Sequence, residues 1–315
     1  MTRRLAQEPS LTLHAPAKVN LYLRVVRRRP DGYHDLETLM VAIDLYDTLS
    51  FAPATGPVPG ADEPHPLRLS ISTELPAAGN FETSAASSGP LALGDDNLVL
   101  RAARLLREET GTTAGARIHL TKRIPWSAGL AGGSSDAATT LLGLNQLWEL
   151  GLSLDQLRTL SERLGSDIPF FLSGGTAAIC RGRGELIEPV SLGQRLPLVL
   201  LKPAVGLSTP RVFQGCTPAD PGFGATDLVA ELCEGRFDRA ARQLYNGLQP
   251  AAEALCPDVG DCRRLCESAD VFGHLMSGSG TSYFALCASR KHAQTLAARW
   301  RQASGCAVWA VSTCV

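Results

Sequence analysis

From Pro125 to Asp136 the chain reads Pro-Trp-Ser-Ala-Gly-Leu-Ala-Gly-Gly-Ser-Ser-Asp. Between Ser127 and Ser135 stand three glycines, two alanines and three serines, with Leu130 the only large side chain. Side chains that small let backbone amides close around a bulky anion. A helix starting directly behind such a loop adds unpaired N–H groups and the positive end of its dipole, which together make a phosphate site. The glycines do not match the P-loop, since no lysine follows them, and Gly129, Gly132 and Gly133 lack dinucleotide-binding spacing. Two more residues invite chemistry. Lys18 lies on an apolar alternating run, and Asp167 sits between Gly165-Ser166 and Ile168-Pro169-Phe170-Phe171, where a carboxylate needs a partner because burying a lone charge is expensive. An anion loop, an ammonium and a carboxylate are the parts that phosphoryl transfer asks for. Its protein component positions the γ-phosphate, neutralises charge spreading onto its oxygens, and takes the attacking hydroxyl's proton. Lys18 can pair with Asp167 and with that hydroxyl.

The elements around these residues are legible from periodicity. Leu11 to Val26 alternates in two runs split by Ala15-Pro16-Ala17, which predicts a strand, a bulge or turn, and a second strand. Lys18 and Asn20 then share a face, because strand side chains repeat every two residues. Arg29 to His34 holds a Pro-Asp-Gly turn. Further strands are expected at Glu37 to Leu45, Asp47 to Phe51 and Leu67 to Ser72, with unperiodic insertions at Ala52 to Pro66 and Leu75 to Gly94. Asp96 or Asn97 can cap a helix ending near Gly111. Ala116 to Ile124 alternates as a strand that Pro125 stops. Ala137, Leu141, Leu144 and Trp148 mark one buried face of a helix from about Ser134, whose cap is expected at Ser134 or Ser135. Ser153 with Gln156 forms a capping box for a second helix with Leu154, Leu157, Leu160 and Leu164 inward, closed by Gly165. Thr176 to Cys180 and Glu185 to Val190 read as a hairpin around Arg181-Gly182-Arg183-Gly184, a basic exposed turn, and Pro197 to Pro203 as a buried strand. Beyond Val205 short helices alternate with strands in a compact α+β unit, so a domain boundary is expected near residue 200.

The chain has 315 residues, with 30 basic and 31 acidic side chains and a net charge of −1. Neither sign runs in blocks, which gives no footprint for nucleic acid or an anionic membrane. No apolar run approaches the ~18 residues a membrane span requires, and the N-terminus lacks a signal-peptide core, so a cytoplasmic protein is expected. Nine cysteines all lie beyond the glycine-rich loop, with no Cys-x-x-Cys, a pattern of reduced thiols serving as small apolar residues.

The loop from Pro125 to Ser135 resembles the phosphate loop of the GHMP kinases, named for galacto-, homoserine, mevalonate and phosphomevalonate kinases. Pro16 to Leu21, Asp31 to His34, Pro125 to Ala138, Gly165 to Pro169 and Ser277 to Gly280 follow in family order over nearly the whole chain. They look most like the branch whose acceptor is a cytidine-diphosphate-linked methylerythritol. Trp126, Ala128, Ala131 and the residues before the first strand depart from its usual pattern. The resemblance implies an α+β two-domain fold, with a ribosomal-protein-S5-like α/β domain at 1–200 and a ferredoxin-like α+β domain at 201–315. It implies ATP and Mg2+, with no residue assigned to the metal, and a small-molecule acceptor. Carried over by position, Asp167 is the general base and Lys18 stabilises the nucleophilic oxygen. Pro125, Trp126, Ser127, Ala128, Gly129, Leu130, Ala131, Gly132, Gly133, Ser134 and Ser135 hold the ATP phosphates, while Asn97, Leu98 and Lys122 surround its adenine. Tyr33, His34 and Phe213, with Thr209 close by, form a cytosine site, where flat side chains suit a base. Asn20 faces the methylerythritol. A homoserine-type or mevalonate-type kinase, diphosphomevalonate decarboxylase, and a non-catalytic nucleotide-binding relative are the rival readings, and the oligomeric state stays open.

Overall fold

A computed structural model of the chain describes residues 10–54, 66–76 and 96–314. Most of the two expected insertions, and the residues before the first strand, lie outside these.

The elements run β1 (Leu11–Arg28), β2 (His34–Pro53), β3 (Leu67–Thr73), α1 (Leu98–Thr110), β4 (Ala116–Lys122), α2 (Gly132–Leu147), α3 (Leu154–Ser161), β5 (Ala177–Gly182), β6 (Leu186–Val190) and β7 (Pro197–Lys202). Then follow α4 (Thr209–Gln214), α5 (Ala225–Cys233), α6 (Phe237–Arg242), β8 (Tyr245–Asn246), α7 (Gln249–Leu255), α8 (Pro257–Glu267), β9 (Gly273–Met276), β10 (Tyr283–Leu286), α9 (Arg290–Ala303) and β11 (Ala307–Ser312). One sheet has the order β3-β4-β2-β1-β8, with β5 paired to β2 and β6 to β5. The second has the order β11-β7-β10-β9. Because β7 pairs with β10 and β11, we place the division between the two units in residues 191–196, a little before the expected residue 200.

The two runs expected within Leu11 to Val26 are a single strand. Pro16 has no N–H for the ladder, so pairing to β2 shifts register between Pro16 and Ala17, and again between Asn20 and Tyr22. Such bulges bend a strand without ending it. The expected break at Tyr46 is likewise absent, and β2 runs through it.

Helix α2 also departs from expectation. It begins at Gly132 behind Ala131, which has φ 53°, and neither Ser134 nor Ser135 caps it. Its buried residues go nearly all round, because glycine, alanine, serine and threonine let it lie close to the sheet. At Gly143 a Cβ would meet the Phe51 ring at 2.5 Å. Leu98, Val99, Ala102 and Leu106 of α1 join Ala137, Leu141 and Leu144 of α2 over β2–β4 in one core. Helix α1 starts on the side chain of Asn97 and stops at left-handed Gly111, as expected. The capping box of Ser153 and Gln156 is present, but Leu154 is exposed, since the stripe inward from α3 starts at Leu157. Among the described residues no helix is long and apolar enough to cross a membrane, and the nine cysteines are free thiols.

Gly143→Ala tests the close packing of α2. Overfilling the contact with Phe51 costs about 1–3 kcal/mol, and the helix-propensity gain of about 1 kcal/mol offsets part of it. A melting temperature lowered by a few degrees is the expected calorimetric result, and an unchanged or raised value would show that the Phe51 ring yields freely.

Candidate active site

A cavity of about 1150 Å³ receives the glycine-rich loop, Lys18, Asn20, Asp167, Tyr33, His34, Thr209 and Phe213 in its wall. Its volume exceeds that of a pocket for one drug-sized ligand.

The loop is shaped by backbone that ordinary residues avoid. Ser127, Gly129 and Ala131 have φ of 49°, 72° and 53°. Left-handed residues at every second position are a backbone pattern from which anion nests are built. Two distant segments hold the loop and each other. Lys18 donates its backbone N–H to the carbonyl of Leu130 at 3.1 Å. Ser277 donates its hydroxyl to the carbonyl of Gly129 at 3.0 Å. The backbone N–H of Asn20 reaches the same Ser277 Oγ at 3.3 Å. The approach to Gly129 is so close that a Cβ there would stand 2.1 Å from the Ser277 carbonyl oxygen.

Beneath the loop lies a buried ionic triad. Lys122 Nζ donates to Asp136 Oδ2 at 2.8 Å and to Asp47 Oδ2. Asp47 Oδ1 also accepts the backbone N–H groups of Arg123 and Ile124, at 2.5 and 2.8 Å. Burial works against the Lys122 ammonium, but the charges of Asp136 and Asp47 lift its pKa above the ordinary lysine value. Burial pushes the Asp136 carboxyl up to about 7, against the pull of Lys122. Asp47 takes three donors and Asp136 one, so Asp136 is the carboxylate of the triad that takes up a proton first as pH falls. The expected adenine-site lysine lines the cavity with its ammonium paired to two carboxylates.

Lys18 is 3% exposed. Its Nζ donates to Asn20 Oδ1 at 2.6 Å and stands 3.7 Å from Asp167 Oδ2. Asn20 Nδ2 in turn donates to Thr38 Oγ1 at 2.8 Å, and Thr38 to the carbonyl of Tyr22 at 2.6 Å, so the lysine's neighbour has one orientation. Burial lowers the pKa of Lys18 and the charge of Asp167 opposes that fall. Asp167 itself is partly open, at 31% side-chain exposure, and faces the cavity.

Elsewhere in the wall, the rings of His34 and Phe213 lie 5.1 Å apart at 32°, and Thr209 Oγ1 is 2.8 Å from Ser279 Oγ. Tyr33 is 58% exposed with the Arg183 guanidinium 5.1 Å above its ring. Asn97 and Leu98 line the cavity beside Gly133, whose Cβ position is 3.5 Å from Leu98. Of the expected loop residues only Ser135 is absent from the wall: it is wholly buried, and its N–H is taken by the carbonyl of Ala131. Sequence reasoning missed Asp47, Asp136 and Thr38 as supports and set Arg183 aside as surface. Asp47 lies 75 residues from Lys122, and no local spacing signals that pair.

Gly129→Ala must strain a left-handed residue and open the contact with Ser277. The strain alone is about 1–2 kcal/mol, so calorimetric titration with a non-hydrolysable ATP analogue should show binding weaker by about tenfold or more; wild-type affinity would exclude this loop from the nucleotide site. Asp136→Asn tests the triad. Unfolded, Asp136 sheds its proton near pH 4, whereas folded it does so at about 7. Between these values the folded state holds the extra proton, so stability falls as pH rises. The neutral asparagine lacks that fall, so melting temperatures taken at about pH 5 and pH 8 should diverge less in the variant than in the wild type. Equal slopes would remove the proton from Asp136.

Comparison with known proteins follows the same lines. Residues 97–175 match the GHMP kinases N terminal domain and residues 228–305 the GHMP kinases C terminal domain. A 4-diphosphocytidyl-2-C-methyl-D-erythritol kinase of Pelotomaculum thermopropionicum is 40% identical, over 93% of this chain and 94% of that protein. The crystal structure of a 4-(cytidine 5'-diphospho)-2C-methyl-D-erythritol kinase superimposes with a TM-score of 0.77 at 34% identity, covering 96% of this chain and 99% of the other. A homoserine kinase from Cytophaga hutchinsonii shares the fold alone, with a TM-score of 0.69 at 18% identity over 100% and 98% of the two chains. A phosphate-loop cavity, two GHMP domains and identity of this extent converge: the chain is an ATP-dependent kinase that belongs to the GHMP kinases and, within them, to the 4-diphosphocytidyl-2-C-methyl-D-erythritol kinase family.

Proposed function

We propose that this kinase transfers the γ-phosphoryl group of ATP to the 2-hydroxyl of 4-diphosphocytidyl-2-C-methyl-D-erythritol, a step in the non-mevalonate route to isoprenoid precursors. The observation that carries the reading is the pair of Lys18 and Asp167, 3.7 Å apart in the wall of one cavity that also contains the loop and the His34–Phe213 ring pair. Relatives of about 40% identity support the choice of substrate.

In this reading the loop amides from Pro125 to Ser134 hold the phosphates, with Asn97 and Leu98 about the adenine. Tyr33, His34, Phe213 and Thr209 receive the cytosine, and Asn20 the methylerythritol. Asp167 accepts the proton of the 2-hydroxyl as its oxygen forms a bond to the γ-phosphorus and ADP departs. Partial exposure lets the carboxylate meet an alcohol beside the Lys18 ammonium. Lys18, fixed by Asn20, then stabilises the oxygen that loses its proton. Lys122 holds the loop and stays out of the transfer.

The residues present fit Mg2+ arriving with the nucleotide. Asp136 lines the cavity and its Oδ1 has no hydrogen-bond partner. One carboxylate oxygen with phosphate oxygens and waters is a donor set Mg2+ accepts. Asp136 would hold the ion, which supplies charge neutralisation on the phosphates.

Two measurements test the proposal. Coupled ADP release over a panel of the cytidine-linked methylerythritol, homoserine, mevalonate and its phosphates should respond to the first alone. Turnover of homoserine in its place would move the chain to the other kinase. Asp167→Asn should cut kcat by about 10²–10⁴ while ATP affinity, measured by titration, holds; an unchanged rate would reject Asp167 as the base.

A further inference from the structure

The hairpin tip Arg181-Gly182-Arg183-Gly184 holds two arginines with different fates. Arg181 is spent on Glu37 and Glu188, at 3.3 and 2.8 Å. Arg183 faces the cavity. Its guanidinium stacks 5.1 Å above the Tyr33 ring, and its nearest ion-pair partner, Glu185, is 3.9 Å away, beyond hydrogen-bond reach. Glu185 binds instead the backbone N–H of Arg183 at 2.5 Å, which fixes the tip and leaves the side chain free to turn. The tip also rests on the segment that carries the candidate base. Gly184, at φ 120°, brings its Cβ position to 3.4 Å from the carbonyl of Ser166, next to Asp167.

The hairpin tip thus meets the Tyr33 ring through Arg183 and the Asp167 segment through Gly184. A substrate with its base on the rings and its hydroxyl at Asp167 must run its diphosphate across that interval. Of the other cations in the wall, Lys122 is paired with Asp47 and Asp136 and Lys18 with Asn20 and Asp167, while Arg28 stands opposite His34 at the base end of the site.

We propose that Arg183 is a specificity residue whose guanidinium binds the diphosphate bridge of the acceptor, so that the site selects a nucleoside diphosphate conjugate over a bare nucleoside. The planar fork suits paired phosphate oxygens, and stacking on Tyr33 aims it while completing the platform for the base. The inference rests on the acceptor reading given above.

The test is titration of cytidine and CDP into wild type, Arg183→Ala and Arg183→Lys, with a non-hydrolysable ATP analogue saturating the phosphate loop. Wild type should bind CDP tighter than cytidine by about tenfold to a hundredfold. Arg183→Ala should lose most of that ratio while cytidine weakens only about two- to fivefold, and Arg183→Lys should recover part of it. In turnover, KM for the acceptor should rise in Arg183→Ala with kcat nearly held. Full retention of the CDP-to-cytidine ratio in Arg183→Ala would overturn the proposal. A wild type that binds neither cytidine nor CDP, yet phosphorylates homoserine or mevalonate, would overturn the acceptor reading instead.

Discussion

A loop of small residues has no side-chain packing of its own to hold it, so its two ends must be pinned. In this protein the pin is a buried charge. Lys122 ends β4 just before the loop, Asp136 lies in the second turn of α2 just after it, and the two meet at 2.8 Å with Asp47 of β2 beneath them. A buried ion pair adds little net stability against an apolar alternative, yet breaking one by removing a partner is costly, roughly 3–5 kcal/mol. That asymmetry makes it a device for position. The loop's base cannot widen without leaving an unpaired charge in the core.

Above this base the loop is closed by groups from far apart in the chain. The Lys18 amide on β1 and the Ser277 hydroxyl after β9 take the carbonyls of Leu130 and Gly129. Carbonyls engaged from behind leave the opposite face of the backbone, with its N–H groups, to the cavity. The same two contacts bring β1 and the turn after β9 together, so the nucleotide loop and the acceptor side share one set of supports. Both sheets therefore contribute to a single site.

The charges within the cavity divide by burial. Lys18 is almost enclosed, has a depressed pKa and depends on Asn20 and Asp167 for its partners, whereas Asp167 keeps an open side. An enclosed cation beside a reachable carboxylate is an arrangement in which the proton acceptor can meet an alcohol while the ammonium stays aligned. Asn20, Thr38 and the Tyr22 carbonyl extend this alignment back into the sheet, so the geometry at the reacting end is inherited from strand pairing.

Much of this was legible locally. The strand–loop–helix around Gly129, the Asn97 cap with Gly111, the capping box of Ser153, and Lys18 with Asn20 on one face all rest on contacts or periodicities within a few residues. So did the candidates Lys18 and Asp167, because a charge among apolar neighbours must find a partner. What spacing could not show was who the partners are. Lys122 was read as an adenine-site residue; it lines the cavity, and only folding brings Asp47, 75 residues away, to pair with its ammonium. Ser135 was read as a loop donor, and the left-handed turn at Ala131 rotates it into the core. Arg183 was read as part of an exposed turn, and folding sets its guanidinium over the Tyr33 ring in the cavity wall. The amino-acid order by itself determined the elements and the inventory of reactive groups, since those follow from backbone and side-chain preferences over short distances. The tertiary structure alone decided which charge is spent on structure and which is left for a ligand, because desolvation and pairing depend on groups that only long-range packing brings within reach.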